Sequence, residues 1–199
     1  MGTLRRTAEE LSRSNDELKR SENKLRYLAN HDPLTGLPNR KLFRETLTDL
    51  LFWGKDNQQL VGLLFLDLDG FKPVNDNLGH DVGDLLLQAV AKRIKNCLRS
   101  SDVVCRLGGD EFSVILPGVK QLEDSGVVAE KILQTVSQPY MLESHHIQVT
   151  ASVGISVYPQ DGSEEDSLLK KADEAMYEAK KLGRNCYQLY QALENPLEA

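Results

Sequence analysis

The sequence predicts an α+β domain, a mostly antiparallel sheet flanked by helices in a ferredoxin-like arrangement, with a coiled-coil helix in front of it. Three observations predict this. Residues 60–68 form a nearly continuous apolar run, the pattern of a buried central strand. Residues 146–157 alternate Ile147, Val149, Ala151, Val153, Ile155 and Val157, the period of a strand with one face on a core. Between them, residues 81–98 and 122–137 carry apolar side chains at helical spacing on either side of a two-glycine hairpin. The order strand, helix, hairpin, helix, strand places the helices on one side of the sheet.

Each element has its own signal. Leu4, Leu11, Leu18 and Leu25 recur every seven residues, with Ala8, Asn15 and Glu22 at the interleaved positions. Residues 1–28 therefore read as a coiled-coil helix of roughly four heptads, about 40 Å long. Asn15 and Glu22 weaken its seam and fix its register. The plain alternative is a solvated amphipathic helix. We read a dimerising or signal-relaying segment, the end of a longer connector from an upstream sensor domain.

Residues 29–40 hold two prolines and a glycine and mark a turn-rich boundary. Pro38 suits the first turn of a helix over about 38–53. Residues 103–107 and 111–116 flank Gly108 and Gly109 as hairpin strands. Ser163 is placed to cap a helix running to about Lys181, and Gly183 suits its exit. Tyr187 and Leu189 belong to a last short strand. The domain is expected over 29–190, and 191–199 as a frayed tail.

The chain has 199 residues, is 40% hydrophobic and 27% charged, and carries a net charge of −6. Those are the proportions of a globular domain, and the acidic balance argues against a nucleic-acid partner. Acidic residues still permit a nucleotide site where a cation neutralises the phosphates. Cys97, Cys105 and Cys186 lack CxxC spacing and read as free thiols of a reduced, cytoplasmic setting. His31, His80, His145 and His146 have no metal-ligand spacing. No run is long and apolar enough for a membrane segment, so a larger membrane-associated protein would hold this chain on its cytoplasmic side.

The chemistry concentrates at two places. Asp67 stands at the end of the apolar strand, where a carboxylate is costly unless it meets a cation. Asp110 lies on the hairpin turn of Gly108-Gly109-Asp110-Glu111-Phe112. Pairing of that hairpin beside strand 60–68 brings Asp67 and Asp110 together. Two hard oxygen ligands with open positions suit Mg²⁺ or Mn²⁺ better than zinc. A calcium loop at Asp67-Leu68-Asp69-Gly70 is excluded, because glycine stands fourth rather than sixth and Leu78 occupies the twelfth position.

These residues resemble the signatures of the GGDEF family, the diguanylate cyclases. Gly108 to Phe112 spell the family string. Residues 67–84 match DxDxFKxxND followed by GHxxGD, residues 179–185 match AKxxGRN, and residues 31–40 match the segment that opens the domain. The resemblance covers about residues 30–190, and the fold it implies is shared with polymerase palms.

It further implies that Asp67, the Leu68 carbonyl and Asp110 hold Mg²⁺ or Mn²⁺. Glu111 would lie near the reacting hydroxyl. The backbone amides of Asp69, Gly70, Phe71 and Lys72 would cradle phosphates, with Lys72 adding charge. Asn75 and Asp84 would pair with guanine, Gly108 and Gly109 would leave it room, and Lys180 and Arg184 would reach the phosphate tail. Arg99 and Asp102 match the family's RxxD inhibitory site for the product. In isolation Asn75 reads as a helix-surface residue, Asp84 as a first-turn acid, and Arg99 and Asp102 as an ordinary helix exit and turn.

The implied activity joins two GTP into cyclic di-GMP across a homodimer, with feedback by cyclic di-GMP. One alternative is a GTP- or cyclic di-GMP-binding module attached to a downstream phosphodiesterase domain. Another is a different nucleotidyl cyclase or a palm polymerase, which the guanine pair disfavours.

Overall fold

The computed structural model describes residues 2–190, with side chains described for residue 11 and for 13–190. The tail at 191–199 lies outside these residues, as do the side chains of Leu4 and Ala8 of the heptad pattern. In chain order the elements are α1 (Gly2–Asn30), α2 (Arg40–Asn57), β1 (Leu60–Asp69), α3 (Phe71–Leu78), α4 (His80–Cys97), β2 (Val103–Gly108), β3 (Glu111–Val119), α5 (Leu122–Val136), β4 (Tyr140–Leu142), β5 (His145–Ile147), β6 (Thr150–Tyr158), α6 (Glu165–Lys181) and β7 (Tyr187–Leu189). The main sheet has the order β2-β3-β1-β6-β7. Its pairs are antiparallel except β6 with β7, which run parallel. β4 and β5 make a separate two-stranded ribbon.

β1 is the centre of the molecule because both of its faces are apolar. Leu64, Leu66 and Leu68 point into a core shared with Leu86, Val90 and Ile94 of α4 and Ala129, Ile132 and Leu133 of α5. Val61, Leu63 and Phe65 point the other way, against Phe43, Leu47 and Leu51 of α2 and Leu168, Ala172 and Met176 of α6. The expectation of helices on one side is thus corrected: the sheet is covered on both faces. The near-continuous apolar run required it, since a strand with one solvated face alternates. Burying each such leucine contributes about 1.5–3 kcal/mol.

Other boundaries also moved. Pro38 stays outside α2 and bridges His31, while Asn39 caps the helix by accepting from the Leu42 amide. Ser163 does not cap α6; the N-cap is Glu164, without a side-chain cap bond. The strand expected over 146–157 is two, with β5 ending at Ile147 and β6 starting at Thr150. α3, implied in the sequence only by the reading of Asn75 as a helix-surface residue, is short. Its eight residues carry only Phe71 and Val74 as buried side chains, too few for a periodicity to show.

Along α1, Leu11, Leu18 and Leu25 are 72%, 58% and 64% exposed, an apolar stripe left uncovered by the described residues. No helix among the described residues is long and apolar enough to cross a membrane.

Candidate active site

The site sits at one end of the sheet, where β1 stops and the β2–β3 hairpin turns. The hairpin loop is two residues long: Gly108 pairs with Glu111, leaving Gly109 and Asp110 to turn. Gly109 has φ 51°, a left-handed value that glycine adopts without strain. A Cβ at Gly108 or Gly109 would meet nothing within 4 Å, so this side of the turn is open.

β3 runs antiparallel beside β1 with Asp67 opposite Glu111, and the Leu68 amide donates to the Asp110 carbonyl at 3.3 Å. Asp67 and Asp110, far apart in the sequence, are thereby brought together. Three carboxylates now crowd one place. Burial pushes the Asp110 carboxyl above its ordinary pKa, and the charge of Asp67 pushes it further. Glu111 is raised as well, by burial first, against the pull of Arg40 and with help from Asp67 and Asp110.

Cations answer this charge. Lys180, in the last turn of α6, places Nζ 2.9 Å from Asp67 Oδ1, with both side chains largely buried. Arg40, in the first turn of α2, lies 3.6 Å from Glu111 and donates from Nε to the Leu107 carbonyl. Arg106 braces the turn from behind. Its Nε and Nη2 donate to the Gly109 carbonyl at 3.0 and 2.7 Å, and its Nη1 meets both Asp32 carboxylate oxygens at 3.0 Å. Burial works to raise the Asp32 carboxyl. Hydrogen bonds from the Thr35 hydroxyl and amide, and the Arg106 guanidinium, outweigh it and hold the pKa below the ordinary value. Arg40, Arg106 and Asp32 were missed as site residues. Their signal was charge beside a glycine turn, and only the fold reveals the partners.

After Asp69 the chain turns through Gly70 at φ 82° into α3, whose N-terminus has no side-chain cap. The first-turn amides around Phe71 and Lys72 thus have no capping side chain, a disposition suited to an anion. Lys72 is exposed and Phe71 is buried. Asp69 itself is still strand, opposite Thr150, with its carboxylate buried. Asn75 of α3 packs against Gly83 of α4, where a Cβ would collide with the Asn75 amide oxygen. Asn75 is half-buried at this contact, and Asp84, the residue after Gly83 on α4, is exposed.

Arg184 follows α6 at φ 66°, with its Nε 3.9 Å from Asp69. Lys180 and Arg184 therefore reach the two carboxylates at the end of β1, Asp67 and Asp69.

Arg99 and Asp102 lie away from this cluster, at the α4–β2 connection. They close a small turn, the Arg99 amide donating to Asp102 Oδ2 at 2.9 Å and the Asp102 amide to the Arg99 carbonyl at 3.1 Å. A groove of about 530 Å³ runs beside them, lined also by Tyr27 of α1 and by His31 and Pro38 from the connection between α1 and α2.

Among the described residues, no three His, Cys, Asp or Glu side chains form a group that could hold a metal ion. Two carboxylates and a backbone carbonyl fit a hard ion that keeps water and phosphate ligands, as Mg²⁺ does. The Lys180 ammonium on Asp67 shows that this position takes a cation.

The protein-family model described as "Diguanylate cyclase, GGDEF domain" matches residues 29–186. The bifunctional diguanylate cyclase/cyclic di-GMP phosphodiesterase MucR of Pseudomonas aeruginosa is 45% identical over 168 residues, covering 84% of this chain and 24% of MucR. Diguanylate cyclase TpbB of the same species is 39% identical over 166 residues, 83% of this chain and 38% of TpbB. The chain therefore spans less than half the length of these relatives. Among solved structures, the coiled coil and GGDEF domain of DgcB from Caulobacter crescentus, in complex with c-di-GMP, superposes with a TM-score of 0.85 at 27% identity. The match covers 94% of this chain and 98% of that one. The chain belongs to the GGDEF family of diguanylate cyclase domains.

Proposed function

We propose that this domain is itself a diguanylate cyclase, joining two GTP molecules into cyclic di-GMP with loss of two pyrophosphates. The observation that carries the reading is the crowding of Asp67, Asp110 and Glu111 beside an uncapped helix N-terminus, with Lys180 and Arg184 alongside. Such a place favours divalent cations and phosphates together.

In each half-reaction a 3′-hydroxyl of one GTP attacks the α-phosphorus of the other. The new P–O bond forms as the bond to the β-phosphate breaks and pyrophosphate leaves. Glu111 stands beside the attacking hydroxyl, and its raised pKa brings it nearer the range of an effective proton acceptor. Asp67, Asp110 and the Leu68 carbonyl would hold Mg²⁺ or Mn²⁺, which supplies charge neutralisation at the phosphates. The amides from Asp69 to Lys72 take the β- and γ-phosphates, and Lys72, Lys180 and Arg184 balance the remaining charge. Gly108 and Gly109 leave the guanosine its room. Asn75 and Asp84 select guanine, whose N1 and N2 donors suit a carboxylate; adenine lacks this pattern.

One chain offers one such site, and the reaction needs two nucleotides in opposed orientation. The leucine stripe of α1 supplies a seam for a second copy and so raises the local concentration of the partner site. Arg99 and Asp102 would bind the product, arginine on the guanine O6 and N7 edge and aspartate on N1 and N2. Synthesis that ignores added cyclic di-GMP would remove that site from the account.

A second reading has one observation behind it: MucR is bifunctional, and this chain covers 24% of it. There the domain would bind GTP or cyclic di-GMP and regulate an attached phosphodiesterase. Incubation with GTP and Mg²⁺, followed by mass spectrometry, separates the readings. Cyclic di-GMP from GTP and no product from ATP is the expected result. GTP bound and recovered intact would favour the regulatory module, and equal turnover of ATP would mean another nucleotidyl cyclase.

A further inference from the structure

The Asp69 side chain has a different environment from its backbone. It is among the few charged side chains buried in the described structure, 6% exposed, and it accepts three hydrogen bonds. Ser152 Oγ donates to Oδ1 at 2.8 Å, Thr150 Oγ1 to Oδ2 at 2.8 Å, and the Asn185 amide to Oδ2 at 3.3 Å. The first two donors belong to β6. The third belongs to the loop that leaves α6 with three successive positive φ values: Gly183 at 115°, Arg184 at 66° and Asn185 at 49°. Two of these are not glycine, so the backbone holds a conformation that must be stabilised from outside. The Arg184 amide on the Ala179 carbonyl and the Cys186 carbonyl on the Val153 amide tie down its two ends. Asp69 holds its middle.

We infer that the Asp69 carboxylate is a positioning residue: it fixes the 183–185 loop, and through it places Arg184 over the triphosphate position beside Lys180 and Asp67. This rests on the cyclase reading above. A buried carboxylate with three neutral donors and an arginine no nearer than 3.9 Å does not gain a close ion pair of its own. Its charge therefore serves the loop amide and the orientation of Arg184, whose side chain stays 62% exposed for another anion. Asparagine at this position removes the charge and leaves one acceptor oxygen where the carboxylate offers two.

The test is calorimetric binding, with Mg²⁺, of the non-reacting α,β-methylene analogue of GTP and of GMP, to wild type and to Asp69→Asn. Loss of a supporting partner of this kind should weaken triphosphate binding by about tenfold and leave GMP within about twofold. In a Lys180→Ala/Arg184→Ala background, Asp69→Asn should change triphosphate affinity by less than about twofold, since the route is already cut. Where Asp69→Asn fails to fold, Thr150→Val/Ser152→Ala removes two donors and should shift the same ratio in the same direction. Equal weakening of both ligands, an unchanged triphosphate affinity, or full additivity with the double variant overturns the inference. Wild-type protein that binds neither ligand overturns the cyclase reading and the inference with it. Wild-type protein that binds the analogue, with Asp69→Asn binding it equally, overturns the inference alone.

Discussion

Asp110 illustrates how the site trades stability for chemistry. A carboxylate whose pKa is raised on folding takes up its proton more readily folded than unfolded. Stability then falls as pH climbs from the unfolded pKa through the folded one, and stays low above it. At pH 7 the ionised Asp110, crowded by Asp67, is a cost. Asp110→Asn should therefore raise the Tm at pH 7, and the gain should shrink as pH falls through the carboxylate range; thermal melts from acid to neutral pH check this. The same substitution, like Asp67→Asn, should lower turnover by about 100-fold or more, since ion-assisted charge stabilisation is worth several kcal/mol. Asp32 has the opposite sign. Its lowered pKa stabilises the fold above the unfolded value, and that contribution is lost as pH falls through the folded one.

At this scale the sequence was informative where residues sit in ordered strings. Asp67 and Asp110 stand in such strings, and the fold brings the two together. Lys180 was assigned to phosphate, and the structure sets it on Asp67. Arg106 went unassigned because its partners, Gly109 three residues on and Asp32 74 residues back, are related only through the hairpin and the α1–α2 connection.

Among elements, the signature hairpin depends on that brace. The Arg106–Asp32 pair is 11% and 17% exposed, so removing one partner leaves a poorly solvated charge. Asp32→Asn should destabilise the domain by about 3 kcal/mol, read from urea unfolding. The packing of α6 on β6 depends on Gly154 in the same way. A Cβ there would run into the backbone of Ala172 and Met176. Gly154→Ala should destabilise by about 1–3 kcal/mol, and shift α6 with its terminal Lys180.

Legible elements carried either a pattern, such as the helical spacing of α4 and α5 and the apolar run of β1, or a bounding signal, such as the two glycines between β2 and β3. α3 shows no period of its own because it is eight residues long, with two buried side chains. The split before Thr150 escaped because Ile147 and Val149 keep the alternation of β6 going in the sequence while the pairing partner changes from β4 to β1. The apolar character of β1 on both faces was visible. Its consequence, helices on both sides, was not drawn.

For the whole molecule, the proposed reaction, with one site per chain, calls for a second chain. A truncation beginning at Leu28 removes Leu11, Leu18 and Leu25 of α1 and retains every residue of the proposed active site. It should bind GTP with nearly unchanged affinity by calorimetry, and lose most of its turnover at equal concentration. Full activity from a truncation shown to be monomeric would remove the dimer from the account.

The central claim is that Asp67 and Asp110 grip divalent ions together with a nucleoside triphosphate. Mn²⁺ titration followed by electron paramagnetic resonance, with the non-reacting GTP analogue present, tests it most directly. Wild-type protein should bind Mn²⁺ strongly only when the analogue is present, and Asp67→Asn and Asp110→Asn should each lose most of that binding while still folding. Undiminished Mn²⁺ binding in both variants would contradict it.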